Sequence, residues 1–206
     1  MGVKKKEIKA IVFDIGSVVT KRQRILIAEI LSKHYKIDLD KFLTAMFKKR
    51  SKIVTGKISG MEYYKDFANR LKIKDFNEFK RRWESLMEKH INPNKRVQSL
   101  IKNLKKNYRI IAFTNVTKDA EKIRFKKRVY DYFDIKLISF IEGMKKPDKD
   151  FYKLLIKRSK LNPNELLFID DIKKNLLTAQ KFGMNTILFK NTSKLKKDLK
   201  KIGVIK

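Results

Sequence analysis

The stretch IVFDIGSVV (residues 11–19) holds the fold in outline. Three apolar side chains in a row, Ile11, Val12 and Phe13, run into a single carboxylate at Asp14 and then a glycine at position 16. A short apolar run without polar alternation marks a strand covered on both faces, as in a parallel sheet. Four further segments have the same form: YRIIAFTN (108–115), IKLISF (135–140), LLFIDD (166–171) and NTILFK (185–190). Between them lie helical patterns, such as Val97, Leu100, Ile101 and Leu104 in KRVQSLIKNLKKN, and Leu176, Ala179, Gln180 and Gly183 further on. Strand and helix alternate, so the expected fold is α/β, with a Rossmann-like parallel sheet flanked by helices.

The alternation fails between residues 21 and 92, where RILIAEILSKHY, DKFLTAMFKKR, GMEYYKDFANRL and FNEFKRRWESLMEKH are helical in period and no buried strand is visible. The expected organisation is therefore a discontinuous core, residues 1–20 plus 93–206, carrying a small all-helical domain, residues 21–92, inserted after the first strand. Pro93 in NPN marks the return to the core.

Composition narrows the class of protein. A chain of 206 residues, 42% hydrophobic, supports a substantial core. With no cysteine, disulfides, thiolate metal sites and cysteine nucleophiles are excluded, which suits a cytoplasmic setting. The opening MGVKKKEIKA has Lys6 where a myristoylation signal needs Ser or Thr, and no segment reads as a signal peptide or membrane span. The formal charge is +31, from 53 Lys+Arg against 22 Asp+Glu. Its basic groups, FKKRSK, FKRRW, NLKKNY, RFKKR and KLKKDLKK, are dispersed along the chain. Dispersion favours a solvated lysine-rich surface over a nucleic-acid interface, and either one attracts a phosphate-bearing substrate.

In an open parallel sheet the ligand site lies beyond the carboxyl ends of the strands. There the chemistry collects: Asp14 after the first strand, Thr114 and Asn115 after the second, Asp170 and Asp171 after LLFI, and Lys146 in GMKKPD (143–148). Singly these are weak signals, since Asp14 has the residue type of a helix N-cap and lysines are mostly exposed. An acidic pair that ends a buried strand needs a cation, hydrogen bonds or both.

Taken together, IVFDIGSVVT, IIAFTN, GMKKPD and LLFIDDIKKNLLTAQKFGM resemble the four motifs of the haloacid dehalogenase-like hydrolase superfamily. The helical insertion resembles its type 1 cap, and the first motif and TGKISGMEY are similar to a subgroup that includes sugar phosphate phosphatases. The resemblance implies Asp14 as nucleophile, forming an aspartyl-phosphate that water hydrolyses. It implies Mg²⁺ held by Asp14, the carbonyl of Gly16, Asp170 and Asp171, a hard cation suited to oxygen ligands. Thr114, Asn115 and Lys146 would hold the phosphate and balance its charge, with backbone N–H groups at Gly16 and Ser17 completing the cradle.

Position 16 departs from the pattern, because most phosphatases of the superfamily have there a second aspartate that protonates the leaving oxygen. Three readings compete. One is a phosphatase for substrates with good leaving groups, such as anomeric, acyl or aryl phosphates. Another is a 2-haloacid dehalogenase, which needs no proton for a halide but works without the paired acids. The third is a weakly active or inactive relative that binds nucleic acid through its basic surface. His34 and His90, in or near the helical insertion, read as surface residues near helix ends rather than replacements for the acid. Phe79 and Trp83, four apart, read as a packed helix face.

Overall fold

The computed structural model describes residues 7–21 and 24–206; the Lys6 reading of the amino terminus lies outside them. Five strands, β1 (Ala10–Phe13), β2 (Arg109–Thr114), β3 (Ile135–Ile138), β4 (Leu166–Asp170) and β5 (Asn185–Leu188), form one parallel sheet in the order β3-β2-β1-β4-β5. The first strand is therefore central, which is why its residues are apolar on both faces: Ala10 to Phe13 are fully buried. Phe13 is in register with Ile169, so Asp14 and Asp170 leave the sheet side by side. The run 135–140 stops being a strand at Ile138, because Ser139 turns to accept a hydrogen bond from the Val116 N–H (3.0 Å).

After β1 the chain passes through α1 (Arg24–His34), α2 (Leu39–Lys48), α3 (Arg50–Val54), α4 (Gly60–Arg70) and α5 (Phe76–His90). Asp38, Ser59 and Asp75 cap α2, α4 and α5 by accepting from the backbone N–H three residues on. These helices enclose an apolar cluster of their own, centred on Phe42, Phe67, Phe79 and Trp83. The chain leaves and re-enters the sheet region at one place, where Thr20 bridges Pro93 and the Asn94 N–H donates to the Val19 carbonyl (2.7 Å).

The remaining helices cover the sheet. Against one face lie α6 (Lys95–Leu104), through Val97, Leu100, Ile101 and Leu104, and the terminal α11 (Thr192–Lys201), through Leu195 and Leu199. Between α6 and α11 in the sequence come α7 (Lys118–Lys126), the short α8 (Ser139–Glu142), α9 (Lys149–Ser159) and α10 (Lys173–Lys181). Phe151, Tyr152 and Leu155 of α9 and Leu176 and Ala179 of α10 pack on the other face. Gln180, expected on the apolar stripe of α10, is exposed and donates to Thr186 Oγ1 (2.7 Å), since the buried positions there are Asn175, Leu176 and Ala179. No described helix is long and apolar enough to cross a membrane.

Candidate active site

The carboxyl ends of β1, β2 and β4 converge, and the sequence-predicted residues meet there. Asp14 caps no helix with its side chain. Instead its Oδ1 accepts from Lys146 Nζ at 2.7 Å, and the same ammonium donates to Asp170 Oδ2 at 2.7 Å. Lys146 is fully enclosed, with its charge over the rings of Phe113 (5.3 Å) and Phe168 (5.2 Å). Burial works against that charge, but Asp14 and Asp170 outweigh it and hold the lysine pKa above its ordinary value.

Asp170 is held on every side. Its Oδ1 accepts from the Ile172 N–H (2.7 Å), and its Oδ2 also accepts from Asn175 Nδ2 (2.9 Å). Asn175 is thus a second anchor, one turn into α10. Asp14, Asp170 and Asp171 each offer a carboxylate oxygen within 4.8 Å of the others. Burial pushes the Asp14 carboxyl up to about 6, and the two neighbouring acids add to the push while Lys146 opposes it. Asp171 is raised as well, by burial first and Asp170 second. One lysine thus leaves this group of acids strained in its ionised form. An all-oxygen donor set with residual negative charge fits a divalent hard cation such as Mg²⁺.

Thr114 is fully buried, and its Oγ1 accepts from Arg124 Nη1 (3.1 Å), leaving its hydroxyl proton free to donate. Asn115 is occupied differently from a free substrate ligand: its Oδ1 accepts from the Lys146 N–H (2.8 Å) and its Nδ2 donates to the Lys146 carbonyl (2.8 Å). It clamps the loop that delivers the lysine while lining the same pocket. The turn after Asp14 takes its left-handed residue at Ser17 (φ 66°), whereas Gly16 is extended (φ −67°, ψ 127°). Glycine at 16 is therefore not required by the backbone.

A cavity of about 260 Å³ opens above these groups, between the strand ends and the helices of residues 24–90. Gly16, Ser17, Asn115 and Asp171 lie at its base, while Met46, Phe47, Tyr63, Tyr64, Trp83 and Met87 form an apolar roof. Three arginines line it, Arg24, Arg50 and Arg124, none of which sequence reasoning singled out. Burial lowers Arg24, and burial together with Arg24 lowers Arg50 to about 9. Neither makes an ion pair among the described residues. Arg124 lies in the RFKKR run, where charge pattern alone signals exposure, yet it is 4% exposed. His34 and His90 do not line the cavity, His34 facing Glu78 at 3.5 Å. Phe79 is buried in the helical cluster, and Trp83 is both packed there and part of the roof.

The family model for haloacid dehalogenase-like hydrolases matches residues 8–183, so a hydrolase class is defined by both fold and site. The chain belongs to that family. It is similar to a D-ribitol-5-phosphate phosphatase of Bacteroides thetaiotaomicron, 26% identical over 93% of this chain and 97% of the relative. It is also similar to a sesquiterpene phosphatase of Aspergillus oryzae, 33% identical over 46% of this chain. The aligned stretch spans about half of that relative, 49%. A HAD family enzyme from Bacteroides thetaiotaomicron, solved with magnesium and inorganic phosphate, has the same fold, with a TM-score of 0.70 at 22% identity. The two cover 89% of this chain and 94% of that one.

Proposed function

We propose that this chain is a Mg²⁺-dependent phosphatase of a small phosphorylated metabolite, working through an aspartyl-phosphate on Asp14. The observation that carries the reading is the single buried ammonium of Lys146 shared between Asp14 and Asp170, with Asp171 beside them. It supports Asp14 as a held, aimed nucleophile and leaves acidic oxygens for a metal. When bound, Mg²⁺ would be held by Asp14, Asp170, Asp171 and the carbonyl of Gly16, and would neutralise phosphate oxygens so that an anionic nucleophile can approach.

The chain's own groups do the rest. Lys146 orients Asp14 and offsets charge, Thr114 donates its hydroxyl proton to a phosphate oxygen, and the backbone at Gly16 and Ser17 contributes N–H donors. Residues 21–92 serve as a cap whose apolar underside excludes water and selects the organic part of the substrate. A cavity of about 260 Å³ suits a compact substrate. A relative that acts on D-ribitol 5-phosphate, aligned over nearly the whole chain, supports a sugar-phosphate-sized one.

The test is a panel of sugar, acyl and aryl phosphates assayed with Mg²⁺ and with EDTA, on the wild type and on Asp14→Asn. Hydrolysis is expected only with both the metal and Asp14. Turnover of 2-haloacids in EDTA would instead favour a dehalogenase. An inactive protein with salt-sensitive affinity for RNA or DNA would favour a binding role.

A further inference from the structure

Gly16 is surrounded in a way that answers the question its sequence raises. A methyl group at this position would lie 3.4 Å from Arg124 Nη2 and 3.7 Å from Asp14 Oδ2. The space where a side chain at residue 16 would begin, beside the nucleophile, is thus in contact with a guanidinium. That guanidinium is fixed. Its Nη1 donates to Thr114 Oγ1 (3.1 Å) and lies 3.7 Å from Glu121 Oε2, on a helix turn packed against the end of β2. It is also not used up, because among the described residues no hydrogen bond involves its Nη2, the nitrogen that faces position 16, and an arginine has five N–H donors. Burial opposes its charge, but Tyr130, Glu121 and Asp14 outweigh burial and hold its pKa above the ordinary arginine value.

We propose that Arg124 is a catalytic residue that stabilises the departing oxygen by fixed positive charge, in the place where an acid at position 16 would do so by proton transfer. The inference rests on the phosphatase reading. In the first step an Asp14 oxygen bonds to phosphorus as the bond to the ester oxygen breaks. The electron pair stays on that oxygen, which departs as an anion paired with Arg124 and then takes a proton from water. In the second step water attacks the phosphoryl group and Asp14 is released as a carboxylate. The phosphate keeps one water proton and the solvent takes the other. An arginine so basic gives up no proton at neutral pH, so its help is purely electrostatic. Such help grows with the charge that develops on the departing oxygen but is insufficient for a simple alkoxide, which gives the site a leaving-group preference without any contact to the organic part of the substrate.

The test uses a series of substituted phenyl phosphates whose phenols span a range of acidity, with Mg²⁺ present, on the wild type, Arg124→Met and Arg124→Lys. Inhibition by inorganic phosphate is measured in parallel. Arg124→Met is expected to lose on the order of 10²- to 10³-fold in kcat/KM on the least acidic phenols and much less on the most acidic. The plot of rate against phenol pKa therefore steepens, while phosphate inhibition changes little. Arg124→Lys restores part of the shallow slope. A uniform loss across the series with weakened phosphate inhibition would overturn the proposal and make Arg124 a phosphate-binding residue. An unchanged slope in Arg124→Met would also overturn it. A wild type inactive on every ester would overturn the phosphatase reading along with it.

Discussion

The floor and the roof of the cavity are built by opposite rules. In the floor, polar side chains are enclosed and almost all are spoken for: Lys146 holds two carboxylates, Asp170 accepts from three donors, and Asn115 clamps the Lys146 backbone at both ends. In the roof, aromatic and methionine side chains dominate, and the arginines at its edge, Arg24 and Arg50, have no ion pair among the described residues. On the phosphatase reading proposed above, a preorganised floor would perform the same step on any substrate that reaches it, whereas an adaptable apolar roof would decide which one does. That reading assigns chemistry and specificity to different parts of the chain.

The sharpest way to break that contrast is to remove the shared ammonium. Lys146→Met would leave Asp14 and Asp170 facing each other uncompensated, and losing one partner of a buried ion pair costs about 3–5 kcal/mol. A large drop in unfolding free energy, measured by urea titration, should accompany loss of activity on every substrate. Divalent ions should partly rescue stability, because they supply the missing positive charge.

A smaller effect separates the acids from the rest of the floor. The folded Asp14 carboxyl is raised above its usual value to about 6. The native state therefore binds more protons than the unfolded chain between about pH 4 and 6, and this group's contribution to stability falls as pH rises through that window. Metal-free protein pays that penalty at neutral pH, and a bound cation relieves it. Mg²⁺ should consequently raise the melting temperature clearly at pH 7.5 and little at pH 5, as read by calorimetry, and the pH 7.5 shift should vanish in Asp170→Asn.

The mildest change belongs to the roof. Phe47 lines the cavity yet is 44% exposed, so Phe47→Ala costs little stability. It should raise KM by less than about tenfold, or 1.4 kcal/mol, for substrates with an apolar body, while leaving kcat on the smallest ester unchanged. A fall in kcat on all substrates would show that floor and roof are not separable in this way.

The floor was legible in the sequence because a parallel strand announces itself as an unbroken apolar run, and a carboxylate or threonine at its end must then sit at the mouth of the sheet. Asp14, Thr114, Asp170 and Asp171 are of this kind. Arg124 was not, because burial of an arginine inside a basic run depends on Thr114, Glu121 and Tyr130 coming together, and that meeting is tertiary. The same holds for Asn115, whose type suggested a substrate ligand although its amide has matching partners 31 residues away. The left-handed residue after β1 is Ser17 rather than Gly16, and the proximity of position 16 to Arg124 Nη2 is likewise tertiary. The roof is not legible at all at the level of roles, since a helix face that packs and a helix face that selects a substrate have the same period.

The most direct test of the central claim is to quench the protein in acid during turnover of an aryl phosphate with Mg²⁺, digest it and weigh the peptide that contains Asp14. The mechanism predicts a fraction of that peptide heavier by one phosphoryl group, located on Asp14, absent in EDTA and absent in Asp14→Asn. Phosphate release that continues in Asp14→Asn, with no phosphorylated peptide in the wild type, would contradict it.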